Sequence, residues 1–115
     1  MSLYAKKKMK QSDIVKKIRK LGYKVTVLTA HPANRGGITD TIIVINGFGF
    51  FVEIKIDRDH LSKLQEDFLN EVYLNSFCIH YDSKKNLYSR MFQKGFLGPY
   101  ENPLINSILD KLNAL

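Results

Sequence analysis

Two apolar, β-branched runs are separated by a single dipeptide, Asn46-Gly47, which limits the chain to few folds. Asn-Gly is the strongest short signal for a two-residue hairpin loop, because both loop residues of that turn need a positive φ. The run before it, residues 40–45 (DTIIVI), and the run after it, residues 48–56, have the composition of strands. The sequence therefore predicts a β-hairpin whose loop length fixes the pairing of its strands.

The predicted pairing places Asp40 directly opposite Glu53, and Lys55 follows two residues later on the same side of its strand. The neighbouring apolar residues of the same strand, Val52, Ile54 and Ile56, point to the other side. Two adjacent carboxylates in apolar strands repel each other and are costly to desolvate, so a neutralising partner is expected. A divalent cation held by both carboxylates, together with the Lys55 ammonium, supplies that charge.

A cluster of this kind suits phosphodiester hydrolysis. A bound metal ion polarises the phosphoryl group and lowers the pKa of a bound water, and a lysine positions that water or stabilises the charge of the transition state. The alternative is an ordinary pair between Lys55 and a carboxylate at the end of the sheet, which contributes little to stability.

The remaining pattern alternates between helix and strand. The 3.6-residue spacing of Ile14, Val15, Ile18 and Leu21 predicts a first helix. Residues 25–28 and 77–81 read as strands, whereas residues 87–92 fit no element clearly. The predicted class is α/β with a mixed sheet, in the order α-β-β-β-α-β-α.

Local signals predict the helix ends. Ser12 or Asp13 is expected to cap the first helix and Gly22 to end it. Ser62 is expected to cap a second helix that runs to about Leu74. Its predicted buried stripe is Leu64, Phe68, Leu69, Val72 and Tyr73. A last helix is predicted at about residues 103–113, with Pro103 in its first turn.

The length of 115 residues predicts one domain, residues 1–115, with a core of about 11–95. No secretory signal is visible, and no stretch is long and apolar enough to span a bilayer. A single cysteine, Cys78, excludes an intrachain disulfide and a cysteine-based zinc cluster, and it reads as a small buried apolar group. These features favour a reduced, cytoplasmic setting.

The charge is concentrated at the N-terminus. Residues 1–24 carry nine basic side chains and one acidic side chain, a net charge of +8, whereas the other 91 residues have a net charge of −1. This asymmetry indicates a polyanionic partner, either nucleic acid or a membrane surface, unless the segment serves only solubility. The candidate DNA-binding residues on the first helix are Lys16, Lys17, Arg19 and Lys20.

Three short runs follow one another: residues 35–40 (RGGITD), 51–55 (FVEIK) and 61–65 (LSKLQ). A glycine turn before an aspartate, an E-x-K strand and a helix that begins L-S-x-x-Q together resemble the VRR-NUC branch of the PD-(D/E)XK nucleases. The resemblance covers about residues 11–81. It implies a restriction-endonuclease-like core, a mixed sheet flanked by helices, and Mg²⁺- or Mn²⁺-dependent cleavage of DNA, often flap or branched DNA.

The resemblance also implies roles for individual residues. Asp40, Glu53 and the backbone carbonyl of Ile54 are expected to bind the metal ion. Lys55 is expected to be the catalytic lysine, and Gln65 to contact the scissile phosphate or order the site.

The glycine turn has expected contacts of its own with DNA. Arg35 can bind a phosphate with two hydrogen bonds, and Gly36 and Gly37 allow the backbone to approach DNA closely. In the family a proline usually precedes the aspartate, where this chain has Thr39. Many members also carry an acidic residue early on the first helix, where Gln11 and Asp13 are the nearest candidates here.

The expectation is a metal-dependent DNA endonuclease from a bacterial or phage-infected cell, of the kind that phage and mobile elements carry. The alternative is a nucleic-acid-binding module that keeps the fold but cleaves weakly, and a third is a membrane-surface or protein-interaction domain. Because small nucleases often pair to cut two strands, a homodimer is also expected. The apolar stripe of the last helix then either covers the core or forms the dimer interface.

Overall fold

The computed structural model describes residues 8–28, 41–96 and 102–115. Its elements in chain order are α1 (Gln11–Lys20), β1 (Lys24–Val27), β2 (Thr41–Ile45), β3 (Phe48–Ile56), α2 (Lys63–Glu71), a short 3₁₀ helix (Tyr73–Asn75), β4 (Ser76–Asp82), β5 (Leu87–Arg90) and α3 (Pro103–Asn113). The protein is therefore α/β, as the sequence predicts. The predicted order lacks β5, which forms in the segment that the sequence leaves unassigned.

The five strands form one mixed sheet in the spatial order β1-β2-β3-β4-β5. The central pair, β3 and β4, is parallel, and the other neighbouring pairs are antiparallel. A parallel pair needs a crossover connection, and α2 with the 3₁₀ helix provides it. In this order β3 pairs with β2 on one side and with β4 on the other, so it is the central strand of the sheet.

The hairpin between β2 and β3 has the predicted two-residue loop. Asn46 and Gly47 adopt positive φ angles of 50° and 82°, as a type I′ turn requires. Ile45 lies opposite Phe48 and Thr41 lies opposite Val52, so the predicted register is confirmed over the described strands. Asp40 precedes β2 and lies outside the described residues, so its position opposite Glu53 stays a prediction.

The sheet buries its two faces against different elements. One face, which we call the helix-pair face, packs against α1 and α3, and its strand residues include Val52, Ile54 and Ile56 of β3. The opposite face, which we call the crossover face, lies beneath α2 and holds a smaller apolar cluster of Leu61, Leu69, Cys78 and Phe96. The alternation of side chains along β3 therefore directs Glu53 and Lys55 to the crossover face.

Most predicted helix ends are present. Gly22 follows α1 with a φ of +98°, Ser62 caps α2, and Pro103 occupies the first turn of α3. The predicted cap of α1 is wrong, because the helix is capped by Lys10, whose N–H donates to the Asp13 carboxylate at 2.9 Å.

The second helix is shorter than predicted and ends at Glu71. Leu64 and Tyr73, predicted to be buried, are 58% and 41% exposed. Leu61, in the turn before the helix, is instead buried in the cluster with Cys78 and Phe96.

The last helix covers the core. Ile105, Ile108, Leu109 and Leu112 are all buried on the helix-pair face. This stripe is therefore not free to form a dimer interface. Within the described ranges, no helix is both long enough and apolar enough to cross a bilayer.

Both border strands are tied by side chains from the helices. The amide of Asn113 accepts a hydrogen bond from the N–H of Tyr88 in β5 at 2.7 Å and donates one to its carbonyl at 2.8 Å. At the other border, the Arg19 guanidinium donates to the carbonyl of Val25 in β1 at 2.9 Å. These bonds fix the helices against the sheet margins.

Candidate active site at the end of the central strand

Two charged side chains emerge near the carboxyl end of β3 on the crossover face. Glu53 lies beside Cys78 of β4, and Lys55 lies beside His80. The Glu53 side chain is only 7% exposed, whereas Lys55 is half-buried. As the sequence predicts, strand alternation places these two groups on one face of the sheet, two residues apart.

The charges of Glu53 and Lys55 both affect the pKa of the buried Cys78 thiol. Burial, with a smaller contribution from the charge of Glu53, raises the pKa of Cys78 to about 12, and the nearby Lys55 opposes this shift. The thiol is therefore protonated at neutral pH and packs as an apolar group, as predicted. The charged groups beside this thiol are the Glu53 carboxylate and the Lys55 ammonium group.

The glycine turn and the predicted aspartate cannot be described. Arg35, Gly36, Gly37 and Asp40 all lie outside the described residues, so their roles stay predictions. Among residues 8–28, 41–96 and 102–115, no three His, Cys, Asp or Glu side chains cluster so as to hold a metal ion. Asp40 is not among those residues, so the predicted metal site is neither assembled nor excluded by this observation.

The carbonyl of Ile54 has a side-chain partner. The Nε2 of Gln11, at the start of α1, lies 2.6 Å from this oxygen. The resemblance implies this same oxygen as a metal ligand, and it implies an acidic residue in the region of Gln11. Glutamine also carries an oxygen, and a carbonyl has two lone pairs. The Ile54 carbonyl and the Gln11 amide oxygen are hard oxygen atoms of the kind that suits Mg²⁺, and the Gln11 N–H already occupies one lone pair of the carbonyl.

Gln65 lies at the start of α2, where its side chain has a structural role. Its Oε1 accepts a hydrogen bond from the Ser62 N–H at 2.9 Å, and its own N–H donates to the Ser62 hydroxyl at 3.1 Å. This reciprocal capping box stabilises the first turn of the helix. Because the cap uses the side-chain oxygen of Gln65, the side-chain NH₂ group is the part of this residue that can donate to a ligand.

A clamp at the start of α2 was not predicted from the sequence. The Nε2 of Gln93 donates to the Glu66 carboxylate at 2.6 Å and to the Leu61 carbonyl at 3.0 Å, while its Oε1 accepts from the Leu61 N–H at 2.9 Å. Glu66 is only 8% exposed. Because Gln93 is 32 residues from Leu61 in the sequence, no local pattern signals the contact.

The predicted DNA-binding helix lies on the face of the sheet opposite to Glu53 and Lys55. On α1, Lys16, Arg19 and Lys20 are exposed, and Lys17 is half-buried with its Nζ 5.9 Å from the ring centre of Tyr88. Arg19 is partly engaged by the carbonyl of β1. The basic helix and the charged pair are therefore not one continuous surface, although Gln11 connects α1 to β3.

Comparisons with models of protein families, with curated proteins and with solved structures found no match. Function must therefore be argued from the motifs and the geometry. The observation that bears on it most directly is the buried Glu53 carboxylate beside Lys55 at the end of the central strand.

Proposed function

We propose that this protein is a metal-dependent DNA endonuclease that hydrolyses phosphodiester bonds, with a preference for flap or branched DNA. The buried carboxylate of Glu53 carries the proposal. Glu53 lies two residues before Lys55 on the same face of the central strand. A carboxylate is a ligand that Mg²⁺ prefers, and an ammonium group beside it can stabilise negative charge on a phosphoryl group.

Each residue of the proposed active site has its own role. Asp40, Glu53 and the Ile54 carbonyl would hold Mg²⁺, with Mn²⁺ as a substitute. When bound, the ion polarises the phosphoryl group and lowers the pKa of its water. The Lys55 ammonium orients the attacking water or stabilises negative charge that develops on the phosphoryl oxygens. Gln65 keeps the first turn of α2 in place beside the site.

Other groups would hold the DNA. Arg35 forms paired hydrogen bonds to a phosphate, and Gly36 and Gly37 allow close backbone approach. The basic helix α1 adds nonspecific affinity for the backbone through Lys16, Lys17, Arg19 and Lys20. Two copies of the chain would be needed to cut both strands of a duplex in one encounter.

The second candidate function is a nucleic-acid-binding module with weak or absent cleavage. The contact between Gln11 and the Ile54 carbonyl favours it, because the amide N–H competes with a metal ion for that oxygen by occupying one of its two lone pairs. Such a module would bind DNA through α1 and would not require Glu53 or Lys55.

Incubation of plasmid, flap and four-way-junction DNA with the protein in Mg²⁺, Mn²⁺ or EDTA separates the two. For the nuclease, we expect cleavage that EDTA stops and that Glu53→Gln and Lys55→Met each lower by at least about a hundredfold, the range seen on loss of one charge-stabilising group. Glu71→Gln, which changes an exposed glutamate of α2, is the matched control and should cleave normally.

Isothermal titration of Mn²⁺ adds a readout that does not depend on activity. Wild-type protein and Glu71→Gln should bind the ion, and Glu53→Gln should bind it at least tenfold more weakly. Cleavage that persists in EDTA or in Glu53→Gln contradicts the metal site. Salt-sensitive DNA binding without any cleavage supports the binding module instead.

A further inference from the structure

A cleft of about 620 Å³ opens at the carboxyl ends of the parallel strands β3 and β4. Its lining comes from the segment before α1 (Lys8), the turn after β3 (Asp57, Arg58) and the turn after β4 (Ser83, Lys84). In open α/β sheets, ligands bind in the crevice beyond the carboxyl ends of the strands. The position and size of this cleft are therefore those of a ligand site.

Three cations line the cleft: Lys8, Arg58 and Lys84. Within the part of the chain that the structure describes, none of them forms an ion pair or a side-chain hydrogen bond. Guanidinium and ammonium groups are the side chains that recognise phosphate oxygens. Their convergence at one opening provides donors for an anionic, oxygen-rich ligand.

Two of the carboxylates in the cleft already serve the turns. The Asp57 carboxylate accepts hydrogen bonds from the N–H and the hydroxyl of Ser83 at 2.8 Å, and Asp82 accepts from the N–H groups of Lys84 and Lys85. These bonds join the turn after β3 to the turn after β4 and hold Arg58 and Lys84 on neighbouring loops. Asp59 also lines the cleft, and its negative charge opposes the binding of an anion there.

The cleft adjoins both regions that the proposed function uses. His80 lines it and is the β4 neighbour of Lys55 on the crossover face. Met9 and Ile56 line it from the helix-pair face, where α1 lies. A strand of nucleic acid that passes from the start of α1 to Glu53 around the carboxyl end of β3 crosses this cleft, because the two lie on opposite faces of the sheet.

We propose that the cleft holds a backbone phosphate of the bound nucleic acid, between the basic helix and the site of cleavage. The inference rests on the proposed function for the identity of the ligand. The ligand chemistry is a phosphate group, which a DNA backbone or a free phosphate can supply, and the cleft assigns Arg58 and Lys84 as its main donors. This contact would join two surfaces that the sheet otherwise separates.

The test is the affinity of a short fluorescein-labelled duplex, measured by anisotropy in EDTA across a series of salt concentrations. Arg58→Ala and Lys84→Ala should each weaken binding severalfold and reduce the slope of log K against log salt by about 1, the effect of losing one phosphate contact. Lys85→Ala is the matched control, since Lys85 is exposed on the same turn but does not line the cleft. Asp59→Asn should strengthen binding.

Equal effects of Lys84→Ala and Lys85→Ala would overturn the proposal, because the charge would then act diffusely. A titration of the protein with inorganic phosphate, followed by NMR, distinguishes the two sources of phosphate. Shifts at Ser83 and Lys84 with no change of DNA affinity in the variants would mean a free-phosphate site and overturn the role in DNA binding.

Failure of the proposed function gives a different result. If the wild-type protein never cleaves DNA but Arg58→Ala and Lys84→Ala still weaken DNA binding, the nuclease proposal fails and the cleft proposal stands. If Glu53→Gln abolishes cleavage while the cleft variants bind DNA as the wild type does, the reverse holds.

Discussion

Gln93 should contribute far more to stability than its place in an irregular segment suggests. Its side chain makes three hydrogen bonds, to both backbone groups of Leu61 and to the Glu66 carboxylate. Gln93→Ala removes all three, and each of the two bonds to Leu61 is worth about 1 kcal/mol net. It also leaves Glu66, which is 8% exposed, without that donor. A hydrogen bond to a charged group is worth about 1.5–3 kcal/mol, so we expect a total loss of about 3–5 kcal/mol.

Equilibrium unfolding in urea, followed by circular dichroism, measures this loss. A decrease of 3–5 kcal/mol is a large part of the roughly 5–15 kcal/mol that stabilises a typical domain. The double variant Gln93→Leu/Glu66→Leu removes both partners and should be more stable than Gln93→Ala. A double-mutant cycle with Glu66→Gln should give a coupling energy above about 1 kcal/mol. A loss below about 1 kcal/mol for Gln93→Ala, or strict additivity in the cycle, would refute the reasoning.

Two further predictions concern stability and titration. Tyr88→Phe should leave the free energy of unfolding unchanged or raise it by up to about 1 kcal/mol, because the buried Tyr88 hydroxyl has no hydrogen-bond partner among the described residues. Tyr81→Phe removes a 2.7 Å hydrogen bond to Asn86 and should lower the free energy of unfolding by about 1 kcal/mol. Equal results for the two variants in urea unfolding would contradict both expectations. Hydrogen bonds from Ser83 hold the pKa of Asp57 below its ordinary value of 3.8. The stabilisation from Asp57 is therefore present above pH 3.8 and is lost as the pH falls through the lowered pKa. In Ser83→Ala, NMR titration should show the pKa of Asp57 moving up toward 3.8, and no movement would exclude the hydroxyl as a cause.

The hairpin and most helix ends could be predicted because their signals are local. Asn46-Gly47 admits few turns, and a two-residue loop then fixes the register of both strands. Ser62 and Pro103 act on backbone groups within their own helix turn. The alternation along β3 likewise predicts that Glu53 and Lys55 share one face of the sheet, because this period depends only on the strand itself.

The rest depends on partners that are distant in the sequence. β5 forms because it pairs with β4 and is held by Asn113 from α3, which residues 87–90 do not reveal by themselves. The burial pattern of α2 was wrong at Leu64 because Leu61 fills the apolar cluster from outside the helix. Neither the reach of Gln11 to Ile54 nor the convergence of two turns on one cleft has a local signature.

The ties at the two sheet borders have a consequence for how copies of this chain can associate. An unprotected border strand offers its backbone to another chain, which leads to strand addition and aggregation. Here Asn113 already satisfies both backbone groups of Tyr88 on β5, and Arg19 satisfies the Val25 carbonyl on β1. A strand added at either border would have to displace these bonds at Tyr88 or at Val25, so the two helices act as guards against sheet extension by a second copy.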